Sequence, residues 1–130
     1  MSVNKGDTQM KYLLMICSDE AAEAKMPPEK LGAVLSAYMD FTSAVKEAGA
    51  YQGGEALQPT TTATTVRVQG GQILTTDGPF AETKEQLGGY YLLDCKNLDE
   101  AIQWAAKIPS ASWGAIEIRP VMDFSQAAQA

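Results

Sequence analysis

The run from Asp77 to Glu85, DGPFAETKE, gathers the side chains of this chain best suited to chemistry. Asp77 and Glu82 are two carboxylates five positions apart. If they converge, their mutual repulsion holds a proton on one of them, which suits general acid–base work. Arg119 lies in AIEIRPVM, where alternation could turn its guanidinium toward the same space; arginine is the natural clamp for a carboxylate or phosphate. Lys84 supplies a second cation and Phe80 a flat apolar surface. Such a set fits proton-transfer chemistry of the lyase or isomerase kind on a small anionic or aromatic metabolite, and that chemistry requires no cofactor.

A purely structural reading competes with the chemical one. Gly78 precedes Pro79, and glycine escapes most of the restriction that a following proline imposes. Pro79 suits the first position of a short helix through FAETKEQL, with Asp77 capping its positive end and Gly88-Gly89 closing it. Phe80 is then a core plug rather than a ligand platform. Lys84 and Glu85 become a solvated helix face, and Arg119 an ion-pair partner of Glu82 or Glu117. Asp19 and Glu20 follow the first strand; they either reach a pocket mouth or solvate a loop.

Composition removes several functional classes. The chain has 16 acidic and 10 basic residues, a net charge of −6, and no basic cluster. Such a surface repels nucleic acid. There is no histidine, so the commonest general base and metal ligand is missing. Cys17 and Cys95 stand apart without metal-ligand spacing and cannot close a structural zinc site; they read as buried free thiols or, failing that, as one reactive thiol. The longest strongly apolar run, Tyr12 to Cys17, is a strand's length and far short of a membrane span. With no signal peptide or spanning segment, the expected location is the cytoplasm. No phosphate loop, dinucleotide fingerprint or nucleophile elbow is present.

The elements that must position these residues are legible as periodicities. Residues 1–9 read as a loose extension and 125–130 as a frayed tail, leaving 10–124 as one domain. MKYLLMIC is apolar on both alternating faces, the mark of a strand central in its sheet. SDEAAEAKM is a polar connection. Pro27 and Pro28 open a helix over 28–48, whose stripe is Leu31, Val34, Leu35, Tyr38, Phe41 and Val45. YQGGEAL is a short irregular strand. A hairpin follows over 62–76, with Gly70-Gly71 as its turn. GGYYLLDC is a strand, 88–95. NLDEAIQWAAKIP is a helix with Asn97 as N-cap and Glu100 three residues on. AIEIRPVM, 115–122, is the last strand, and Pro120 marks it as an edge or ends it early.

Strand, helix, hairpin, strand, helix, strand is an α+β order. It predicts a ferredoxin-like split βαβ fold with an extra β-hairpin, the antiparallel sheet carrying two helices on one face. The other face would be bare, and an apolar face of that size predicts a homodimer packed sheet against sheet.

The run TDGPFAETKEQLGGYYLLD, together with AVKEAGAYQGGEALQP, TTVRV and EIRPVM, closely resembles the DGPF group of the YCII-related proteins, from Met10 to about Phe124. The resemblance implies a dimeric ferredoxin-like fold, a form of α/β barrel. The wider superfamily looks like it includes small-molecule lyases and dehalogenases that use a His–Asp pair. This chain has no histidine, so that mechanism does not carry over, and Asp77 is the acidic residue that remains. Some DGPF proteins resemble gene neighbours of extracytoplasmic-function sigma factors. Two functions are therefore carried forward. One is an enzyme with Asp77 and Glu82 as acid–base pair and Arg119, Lys84 and Phe80 as ligand contacts, its loop shaped by Gly78, Pro79, Gly88 and Gly89, with no metal. The other is a non-catalytic dimeric module that binds a ligand or a regulatory protein.

Overall fold

The computed structural model describes residues 9–125. The expected extension over 1–9 and tail over 125–130 therefore lie, apart from Gln9 and Ser125, outside the described residues. Six strands and three helices alternate: β1 (Met10–Ser18), α1 (Glu20–Glu23), α2 (Pro28–Glu47), β2 (Tyr51–Ala56), β3 (Thr64–Gln69), β4 (Gln72–Asp77), β5 (Gln86–Cys95), α3 (Leu98–Ala106) and β6 (Ala115–Pro120). Short 3₁₀ turns at Thr60–Thr62 and Pro109–Ser112 join them.

Four strands form one antiparallel sheet in the order β2-β5-β1-β6. The α+β order and this arrangement are consistent with a ferredoxin-like fold. β1 is central, as its doubly apolar sequence requires. β6 is an edge and stops at Pro120, which cannot donate to a ladder. Strands β3 and β4 form a separate two-stranded sheet, turned by Gly70 and Gly71 at φ +56° and +78°. Both turn residues adopt the left-handed backbone that a two-residue hairpin loop needs.

Alternation along β1 sends Tyr12, Leu14 and Ile16 to the helix side, where they meet Tyr91, Leu93 and Cys95 of β5. Phe41 and Val45 of α2 and Ala101 and Ala105 of α3 close this core. Phe41 makes edge contacts with Tyr91 at 5.0 Å and Trp104 at 6.1 Å, the geometry that aromatic quadrupoles favour. On the opposite face Leu13, Met15, Tyr90 and Leu92 are half-buried. The Asn97 side chain caps α3 by accepting from the Glu100 N–H at 3.0 Å, and Glu100 reaches back to the Lys96 N–H at 2.7 Å. None of the helices among the described residues is long and apolar enough to cross a membrane.

Two expectations are corrected. The polar connection after β1 holds a helical turn, α1, because Asp19 accepts from the N–H groups of Ala21 and Ala22 at 3.1 and 3.2 Å. The segment after Asp77 is not a helix; residues 78–85 are bends and coil. So short a segment does not overcome the cost of helix nucleation unless packing supports it. Phe80, the side chain that would anchor it, is 77% exposed. Phe80 is thus no core plug within the chain, and Asp77 caps no helix. Gly88 and Gly89 belong to β5 instead of closing a helix.

Candidate functional site

The apolar stripe of α2 is only half used for packing. Phe41 and Val45 are buried, but Leu35 and Leu31, about two and three turns nearer the N-terminus, are 58% and 47% exposed. The sheet side of this space is lined by Ile16, Tyr51 and Tyr91 together with Gly54 of β2 and Gly89 of β5, which carry no side chain. A Cβ on Gly54 would come within 2.9 Å of the Tyr90 carbonyl oxygen, and one on Gly89 within 2.8 Å of the Glu55 carbonyl oxygen. Glycine therefore permits the close β2–β5 pairing, and at 54 it also makes room for the Tyr91 ring, which a Cβ there would meet at 2.9 Å. A cavity of about 460 Å³ lies between α2 and the sheet, within the size range of small-molecule sites.

Its wall is apolar, formed by Leu31, Val34 and Leu35 of α2 with Ile16 and Met26. Polar groups are few. Tyr38 shares a hydrogen bond with Ser110 at 2.6 Å. The Thr42 hydroxyl donates to the Tyr38 carbonyl at 2.9 Å, so in its 2.8 Å contact with Tyr91 the phenol is the donor. Burial is the main cause that pushes both phenols above the usual tyrosine range. Both stay neutral through physiological pH. At the rim stand Glu23, whose carboxylate accepts from the Trp113 indole N–H at 2.8 Å, and the exposed Glu55.

The DGPF run lies elsewhere. Asp77 is the last residue of β4 and Glu82 sits in the following loop; both are exposed. Among the described residues no hydrogen bond or ion pair joins Asp77 to Glu82, Lys84 or Arg119, and none of these lines the cavity of its own chain. Arg119 pairs with Glu117 at 3.6 Å, both largely exposed, so the pair adds little stability. Gly78 is at φ +99°, a conformation that favours glycine. Its N–H donates to the Ala63 carbonyl and its own carbonyl accepts from the Thr65 hydroxyl, both at 2.7 Å. The loop is thus tied to the base of β3.

Asp19 and Glu20 have structural duties. Asp19 caps α1, and the Glu20 carboxylate accepts from the Thr60 N–H and hydroxyl, fixing the end of β1 to the β2–β3 connection. From this segment the acidic residue that reaches the cavity is Glu23, three positions after Glu20. The sequence held a signal for this site: paired glycines inside two neighbouring strands, 53–54 and 88–89, mark a place where a ligand or another backbone comes close. Cys95 is fully buried and Cys17 partly so. No three His, Cys, Asp or Glu residues among those described are grouped to hold a metal.

An antiparallel α+β sheet with an apolar cavity under its long helix defines the class. The chain belongs to the YCII-related domain family, whose model matches residues 10–125. It is also 39% identical over 114 residues to an uncharacterized protein of Rhizobium meliloti (strain 1021), an alignment spanning 86% of this chain and 92% of that protein.

Proposed function

We propose that this protein is a cytoplasmic homodimer that binds a small, mainly apolar molecule in the cavity between α2 and the sheet. The observation that carries the reading is the pair of exposed leucines, Leu31 and Leu35, on the apolar wall of this cavity. Apolar surface left unfilled beneath a helix is costly unless something occupies it. The neutral hydroxyls of Tyr38, Thr42 and Tyr91 orient the occupant. The test is fluorescence of the neutral dye prodan, which brightens in apolar sites. Binding to wild type that is lost in Leu35→Trp, with unchanged far-UV circular dichroism, is the expected result. Equal dye binding by both proteins overturns the reading.

The dimer rests on the β3–β4 hairpin and the uncovered sheet face. Val66, Val68 and Ile73 are 59%, 66% and 74% exposed. A lone two-stranded sheet is marginal in water, and a second copy would cover it, giving the dimeric α/β barrel. Light scattering should give twice the 13.9 kDa chain mass; a monomer at micromolar concentration ends this part. Acid–base chemistry by Asp77 and Glu82, with Lys84, Phe80 and Arg119 at the ligand, then requires the loop of one copy to meet the cavity of the other.

The exposed hairpin also favours a second reading, a non-catalytic module that docks a regulatory protein in transcriptional control. Mutual exclusion between dimer and such a partner would distinguish it.

A further inference from the structure

Resting on the cavity reading above, we infer that the ligand carries a protonated amine on an apolar, ring-sized body, and is not an anion. The charged residues that line the cavity are Glu23 and Glu55; neither Lys nor Arg is among the lining residues described. Both carboxylates sit at the rim, Glu23 half-buried and Glu55 exposed. Deeper in, two hydroxyls have their protons committed: Thr42 donates to the Tyr38 carbonyl and Tyr91 donates to Thr42. The interior therefore accommodates an apolar ring and the rim favours a cation.

The remaining capacity at the rim supports this. The Trp113 indole N–H engages one oxygen of Glu23, Oε2, which leaves Oε1 and further lone pairs to accept from an ammonium group. A carboxylate ligand would meet two like charges at the rim. The chain's net charge of −6 adds a long-range field of the same sign. The expected clamps for an anion do not reach this space: Arg119 lies on the edge strand paired to Glu117, and Lys84 is in the exposed loop after β4.

The test uses three ligands with one ring system: tryptamine, its alcohol analogue tryptophol, and indole-3-propionate. Calorimetric titration at pH 7 and low salt should rank them in that order. The amine should bind about twofold to fivefold more tightly than the alcohol, the range of a partly exposed charge interaction. The advantage should shrink as salt is raised. Glu23→Gln with Glu55→Gln should erase it while leaving tryptophol binding intact, since Gln at 23 still accepts from Trp113. Equal affinities, or tighter binding of the propionate, overturn the inference and leave the cavity reading standing. Failure of all three compounds while prodan binds overturns the inference alone. Failure of prodan as well removes the cavity reading itself.

Discussion

The phenolic oxygen of Tyr38, on α2, lies 2.6 Å from the hydroxyl of Ser110, in the 3₁₀ turn after α3. Ser110 is 2% exposed. This hydrogen bond ties the middle of the long helix to the turn leading into β6. With Phe41 and Val45 anchoring α2 beyond it, it helps fix how far the helix's first turns stand off the sheet.

Tyr38→Phe should therefore strand a buried hydroxyl. The expected cost is about 1–3 kcal/mol, the penalty of an unsatisfied buried polar group. Adding Ser110→Ala should recover part of it, because removing both partners is milder than removing one. Urea denaturation of the two singles and the double measures the coupling, and strictly additive losses would show that the pair does not act as a unit.

Gly78→Val should strain the loop that leaves β4. At φ +99° a β-branched residue must distort the backbone or break the bonds to Ala63 and Thr65. The cost expected is roughly 1–3 kcal/mol. Limited proteolysis should then cut near 78–85 faster than in wild type. Unchanged cleavage and melting would mean the loop relaxes without penalty.

Stability should fall in alkali through Cys95. Burial, reinforced by the nearby Glu100 and Asp94 carboxylates, pushes this thiol from 9.0 up to about 11. The folded state thus keeps the proton while the unfolded chain releases it. The contribution is fully present below about pH 9 and is lost as pH rises toward 11, by roughly 1 kcal/mol for each pH unit. Cys95→Ala should flatten this slope in urea melts at pH 8, 9 and 10, despite its lower starting stability. An identical slope would assign the alkaline loss to other groups.

Asp77→Asn and Glu82→Gln should each leave stability within about 0.5 kcal/mol of wild type, as is usual for exposed side chains without partners. Their effect on ligand is the informative measurement. If a second copy carries the loop to the cavity, both changes should weaken tryptamine binding in the dimer. Unaltered titrations would remove these carboxylates from the site.

Much of the fold was legible because it follows from local rules. Alternation gave β1 its central place, Pro27-Pro28 and the 3.6-residue stripe defined α2, Gly70-Gly71 defined the hairpin turn, and Asn97 with Glu100 marked the start of α3. Glycine before Pro79 foretold the unusual backbone at Gly78. The segment from Phe80 to Leu87 was misread as helix because its charges and proline matched helix-start rules, whereas the decision lay with packing that Phe80 does not make. The stripe on α2 was read as wholly buried, since periodicity reports which side chains share a face but not what lies opposite. What lies opposite Leu31 and Leu35 is set by strand pairing, which brings Gly54 and Gly89 into the lining of the same cavity. Ser110 and Tyr38, and Glu23 and Trp113, are likewise far apart in the chain. Their contacts exist only because the sheet order brings α1, the middle of α2 and the turn before β6 together. Sequence alone specified the elements and the glycines; the three-dimensional arrangement decided that their meeting leaves an empty, acid-rimmed cavity.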